Sequence, residues 1–180
     1  MEASNAAPLE PDLGHGVALH QQGRLAEAER IYRQVVQRQP DLAAVWHLLG
    51  IVALQTSRWE QAAEQIGAAI TLDERVDGAY SNRAIALRRL GRFDEALISL
   101  DRAIGLEPGN AEAHNNRGIV LREMGRLDEA LTGVDRAIAL RPGYAEAHTN
   151  RGALLRSMGH AEAGLASFER AIALQPDDAT

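Results

Sequence analysis

The chain has 180 residues, with 19 Lys and Arg against 25 Asp and Glu, a formal net charge of -6. That balance argues against general nucleic-acid binding through phosphate neutralisation and against a polybasic membrane footprint. With no cysteine, 46% hydrophobic residues and only 4% aromatics, a disulfide framework and a thiolate metal site are excluded, and the apolar mass is Ala, Leu and Ile, which suits closely packed helices.

The first residues, MEASNAAP, lack the basic start and apolar core of a secretory signal. Residues 1–8 read as a disordered tail. No apolar run approaches the ~18 residues of a membrane span, so a soluble, cytoplasmic setting is expected. From Leu9 the chain falls into five abutting units, 9–42, 43–76, 77–110, 111–144 and 145–178. Shifting one unit onto the next superposes Gly91, Gly125 and Gly159, then Ala69, Ala103, Ala137 and Ala171, then Pro108, Pro142 and Pro176. A fixed period of this kind decides the fold before any local reading.

The first unit has a poor first helix, crowded by Pro11, Gly14 and Gly16, and a strong second one over about Leu25–Arg38. The second unit departs most: Ser57 replaces the turn glycine, Glu74 replaces the terminal proline, and Trp46 and Trp59 add bulk. The third is regular apart from Ala84 where its neighbours have Gly. In the fourth, Ala113, Arg117, Val120, Leu121 and Met124 recur at helical spacing. Gly125 ends that run in a left-handed turn. A second run from Leu127 to Leu140 follows, and Pro142 stops it. Each unit is thus a helical hairpin, and small residues such as Gly118, Ala130 and Ala137 let its helices approach. One hairpin cannot bury its apolar face alone, whereas stacked copies can. The fifth unit carries Gly164 where the others have Ala, which should loosen its second helix. That last helix shows Leu165, Phe168, Ile172 and Leu174 with nothing following to cover them. The expectation is a longer parent chain, or a partner or second copy at that end.

The repeated Gly16, Gly50, Gly118 and Gly152, with Ala28, Ala62, Ala96 and Ala130 and the bulky Tyr32, Ile66, Leu100, Val134 and Phe168, resemble the tetratricopeptide repeat (TPR) family. The resemblance covers nearly the whole chain. It implies an all-α, right-handed solenoid of five helix-turn-helix units. The first helices line a concave groove that holds extended peptides or partner helices. The pentatricopeptide RNA-binding alternative has a different period and does not suit an acidic chain.

Several rows fall on the first helices. Asn82, Asn116 and Asn150 share one register, and stacked amides can donate to and accept from a peptide backbone. This is similar to the asparagine ladder of the O-linked N-acetylglucosamine transferase family. Ser81, Asn115 and Thr149 stand beside that row. Arg88, Arg122 and Arg156, with Arg89, form a second row suited to carboxylates of an extended ligand or to internal ion pairs. The family's carboxylate clamp is absent: Ser81 with Ile85 and Asn115 with Ile119 occupy its places. A third row, Arg83, Arg117 and Arg151, accompanies Asp101, Asp135 and Glu169 on the following helices, which reads as bridges joining the two helices of each hairpin. His114 and His148 sit one unit apart, too far to share one zinc, and read as packing residues.

These rows point to a non-catalytic scaffold binding a protein or peptide ligand, acidic in part, with no metal, cofactor, nucleic acid or membrane involved. An alternative is the substrate-recruiting TPR region of a larger bacterial transferase such as a protein glycosyltransferase. A third is a self-associating module joined through the uncovered last helix.

Overall fold

A computed structural model describes residues 9–175; the expected tail at 1–8 and Pro176 lie outside the described residues. Ten helices follow one another there: α1 (Leu9–Gln21), α2 (Leu25–Arg38), α3 (Ala43–Gln55), α4 (Trp59–Leu72), α5 (Ala79–Arg89), α6 (Phe93–Leu106), α7 (Ala111–Glu123), α8 (Leu127–Leu140), α9 (Ala145–Ser157) and α10 (Ala161–Leu174). All described secondary structure is helical, as the 34-residue repeat requires.

The helices group into two compact units, one ending at Ala86 and the other beginning at Leu87, with the division inside α5. In the first, α1 packs on α2, α2 on α3 and α3 on α4. Its core gathers Leu19, Tyr32, Val35, Val45, Leu49 and Val52. Each such side chain stabilises the fold by ~1.5–3 kcal/mol through removal of apolar area from water. Contrary to the sequence expectation, α1 is a full helix. Pro11 falls in its first turn, where backbone N–H groups have no intrahelical acceptor. Gly16 is required by packing, because a Cβ there would lie 2.9 Å from the Tyr32 ring.

In the second unit α6 packs on α7, α7 on α8, α8 on α9 and α9 on α10, and α7 also touches α9. Glycines on the first helices admit bulky residues from the second. A Cβ on Gly118 would lie 2.6 Å from Val134 and 3.0 Å from the Ala130 carbonyl, and one on Gly152 would lie 2.8 Å from the Phe168 ring. Phe168 is therefore seated rather than uncovered. α10 runs unbroken through Gly164. A Cβ on Gly164 would stand 3.0 Å from the Gly152 carbonyl, so its smallness lets α9 and α10 close together.

The turns inside the hairpins repeat one geometry. Gly23, Gly91, Gly125 and Gly159 have φ between 73° and 86°, and Ser57 takes the same left-handed conformation at 57°. The next residue's N–H donates to a carbonyl five residues back at 2.8–2.9 Å, at Arg24, Arg58, Arg92, Arg126 and His160. Between repeats, a ring N–H ties three of the first helices, α3, α7 and α9, to the loop before them. Trp46 donates to the Pro40 carbonyl at 2.8 Å, His114 to Pro108 at 3.2 Å and His148 to Pro142 at 3.0 Å. A carbonyl only accepts, so Nε2 carries the proton in both histidines. The two half-buried rings thus hold helix to loop.

Candidate functional site

α7 and α9 present the same three stripes. On α7, Gly118 faces α8, and Leu121, three residues on along the same side of the helix, is buried. Ala113, Arg117 and Val120 share a second stripe, turned toward α6. The third stripe holds Asn115, Ile119 and Arg122, spaced four and three residues apart and so lying on one helix face. Thr149, Ala153 and Arg156 repeat it on α9. Asn115 is buried, while Ile119, Ala153 and Arg122 are half-buried and Thr149 and Arg156 exposed.

The arginines of the second stripe are bound within the protein. Arg117 Nε donates to Asp101 Oδ1 at 2.8 Å, and Arg151 Nε to Asp135 Oδ1 at 2.7 Å. Each bridge runs to the second helix of the preceding hairpin. The sequence expectation, Arg117 with Asp135 and Arg151 with Glu169 inside one hairpin, is therefore corrected. Helix α7 turns this stripe toward α6, and Gly118 toward α8. Within its own hairpin Arg151 reaches the Ser167 hydroxyl instead, at 2.9 Å. Arg83 lies over Gly67, the residue in the register of Asp101.

Rows that look alike in sequence diverge in the structure. Asn82 Nδ2 lies 2.9 Å from His47 Nε2, and Asn150 Nδ2 donates to Asn115 Oδ1 at 3.0 Å. Both amides thus tie successive first helices together. Burial holds His47 below its ordinary range, against the opposing charge of Asp77, so its neutral ring can accept from Asn82. Asn116 makes no side-chain hydrogen bond among the described residues. The Ser81 hydroxyl is buried without a partner, and the Thr149 hydroxyl donates to the Ala145 carbonyl at 3.2 Å. In the arginine row, Arg88 is ion-paired with Glu123 at 2.7 Å, and Arg89 is exposed. Arg122 and Arg156 bind no carboxylate among the described residues.

A polar cluster that sequence reasoning missed surrounds Asn115. Its Nδ2 lies 3.5 Å from the Tyr144 hydroxyl and 3.3 Å from Glu146 Oε1. Arg141 stacks over the Tyr144 ring at 4.8 Å and reaches Glu112 at 3.2 Å. Burial, reinforced by Glu146 and Glu112, pushes the Tyr144 hydroxyl up to about 12. The available signal was Tyr144 itself, one of three tyrosines, placed at the entry of α9 in the register of the capping Asn110. The cluster engages the acids of the open stripe: Glu112 by Arg141, Glu146 by Asn115, and nearby Glu123 by Arg88. Arg122 and Arg156 are left without a carboxylate partner among the described residues. Among the described residues no group of three or more His, Asp and Glu could hold a metal ion. No described helix is long and apolar enough to cross a membrane.

The sequence model of the family described as "T7SS, ESX-1 secretion system protein EccA1, N-terminal domain" matches residues 3–149, and that of the tetratricopeptide repeat matches residues 145–178. No curated protein matches the chain. Among solved structures, MamA is similar at 24% identity and a TM-score of 0.81, covering 91% of this chain and 96% of that one. YrrB, described as a TPR protein with an unusual peptide-binding site, has 24% identity and a TM-score of 0.77, covering 96% and 89%. A thermophilic TPR protein of Thermus thermophilus has 24% identity and a TM-score of 0.78, covering 95% and 93%. The fold is that of the TPR proteins.

Proposed function

The chain belongs to the family described as the N-terminal domain of the ESX-1 secretion system protein EccA1, and on that premise we propose that it is a protein-interaction scaffold binding an extended, partly acidic peptide. The binding surface is the open stripe of α7 and α9. One observation carries the reading: Arg122 and Arg156 bind no carboxylate among the described residues, while Arg88, Arg117, Arg141 and Arg151 all do. Ile119 and Ala153 supply apolar contact between the charges, and the amide of Asn116 can donate to and accept from a peptide backbone. Support also comes from YrrB, whose description names a peptide-binding site.

Spacing sharpens the ligand. Neighbouring packed helices lie ~8–10 Å apart, and a chain in the extended polyproline II conformation advances ~3.1 Å per residue with about three residues per turn, so every third side chain faces the same way. Carboxylates three residues apart therefore match arginines on α7 and α9. The role calls for no bond-making chemistry. The recruiting-module alternative gains from the family's description as an N-terminal domain, although the protein named there is a secretion-system component rather than a transferase. A bacterial, cytoplasmic setting accords with that description and with the absence of cysteine.

The test is calorimetric titration with two peptides, one carrying acids three residues apart and one with the matching amides. Arg122→Ala with Arg156→Ala should weaken the acidic peptide about tenfold, or ~1.4 kcal/mol, leave the amide peptide unchanged, and leave the melting temperature within about a degree. Equal affinity of both peptides for the wild type would reject the assignment.

A further inference from the structure

The fourth and fifth repeats differ at one buried place, and the difference leaves an arginine half used. Arg151 donates through Nε to Asp135 and through Nη1 to the Ser167 hydroxyl at 2.9 Å. Arg117 makes the first of these bonds, to Asp101, and not the second, because Gly133 stands in the place equivalent to Ser167. The Nη groups of Arg117 have no acceptor among the described residues. Beside them a hollow of about 420 Å³ opens between α6, α7 and α8, and Gly133 forms part of its wall.

Other groups around this hollow are also unfilled. Arg136, on α8, is exposed and has no partner among the described residues. Asp101 uses Oδ1 for Arg117 and leaves Oδ2 without a donor. His114 carries its proton on Nε2, toward the Pro108 carbonyl, so Nδ1 keeps a free lone pair. Glu129, the other acid near Arg117, is bound through both oxygens by Arg126 at 2.7 Å. The hollow thus sets two guanidinium groups beside an acid and a ring acceptor, with Ile104 as an apolar wall.

We propose that this hollow binds a free α-amino acid with an apolar side chain. The carboxylate takes the guanidinium forks of Arg117 and Arg136, whose planar donors match its two oxygens. The ammonium donates to Asp101 Oδ2 and His114 Nδ1, and the side chain rests on Ile104. A lone carboxylate leaves Asp101 unmatched and is repelled by it, and a lone ammonium meets two guanidinium groups. A zwitterion sets an opposite charge against each at once. The volume falls at the lower end of the ~300–1,000 Å³ usual for small-molecule pockets. The hollow shares no residue with the open stripe, so it stands independently of the peptide reading.

The probe is L-leucine, titrated into the chain and followed by amide NMR. Saturable shifts are expected at Ile104, His114, Thr132 and Gly133. N-acetyl-leucine, which lacks the ammonium, and leucinamide, which lacks the carboxylate, should each bind about tenfold more weakly. Arg136→Ala should weaken leucine about fivefold and leave thermal unfolding in place, since that side chain is exposed. Gly133→Ser should give Arg117 the hydroxyl that Arg151 already has, and abolish binding. A Cβ at Gly133 stands 3.2 Å from the His114 carbonyl, so Arg136→Ala decides the matter if the serine variant fails to fold. No saturable shift, or leucine binding indifferent to Arg136→Ala, would overturn the proposal. N-acetyl-leucine binding as tightly as leucine would give the hollow to the carboxyl terminus of a polypeptide, and leucinamide doing so would make it a cation site. Either result would equally overturn it.

Discussion

Arg117 and Arg122 stand five residues apart on α7, and Arg151 and Arg156 repeat the pair on α9. The first of each pair turns toward the preceding second helix and binds an aspartate. The second turns to the open stripe, where the acids already have partners. Residue type is the same, and orientation on the helix separates an arginine bound within the fold from one left open to the proposed ligand. The packed stripes should therefore govern stability and leave ligand affinity alone, and the open stripe the reverse.

The largest effect expected on the packed side is at Gly118, which has no room for a Cβ between Val134 and the Ala130 carbonyl. Gly118→Leu should cost about 2–3 kcal/mol by overpacking, a fall of roughly 5–10 °C in melting temperature, with unchanged peptide affinity for the molecules still folded. Altered affinity at temperatures well below melting would erase the distinction between stripes.

An acid in the first unit extends the contrast. Glu29 accepts two hydrogen bonds from Arg58, at 2.7 and 2.9 Å, and two from Arg33, at 2.7 and 3.1 Å. Chiefly through Arg58, its carboxyl is held down to about 2 from an ordinary 4.5. A lowered pKa stabilises the fold fully above the unfolded value and loses its effect as pH falls through the folded one. With Arg58 partly exposed, screening leaves about 1–2 kcal/mol at neutral pH. Glu29→Gln should lower the melting temperature at pH 7. The gap to the wild type should shrink between about pH 4.5 and pH 2, and a gap independent of pH would deny the ion pair.

Smaller still is the bridge from Arg151 to Asp135, which is half open to water. Asp135→Leu should cost at most about 1 kcal/mol, and adding Arg151→Leu should recover part of it. Adding Arg117→Leu instead should recover nothing, which distinguishes the observed pairing from one inside a hairpin. The smallest effect, outside both stripes, belongs to Ser57→Gly. It relieves the one left-handed residue that is not glycine among those described and should stabilise by about 0.5 kcal/mol in denaturant melts.

The helices were legible because the repeat superposes five times, and Gly23, Gly91, Gly125 and Gly159 each mark the turn of a hairpin. Pairings across repeats were not. Asp101 and Asp135 lie at nearly equal distances along the chain from Arg117, one behind and one ahead, and only the rotation of α7 selects between them. The asparagine row failed to read for a related reason. Asn82 and Asn150 meet His47 and Asn115 of the preceding first helix, and those two residues occupy a neighbouring register that the row does not include. Ser57 was legible as a departure from glycine, but its left-handed backbone follows from the turn the other units share. Tyr144 was visible only as an unusual residue at a helix entry.

The most direct test is an amide NMR titration of the chain with a peptide carrying carboxylates three residues apart. Shifts confined to Asn116, Ile119, Arg122, Thr149, Ala153 and Arg156 are predicted, fading as salt is added. Shifts centred instead on α8, or a pattern that ignores both salt and the acidic residues of the peptide, would contradict the open stripe as the binding surface.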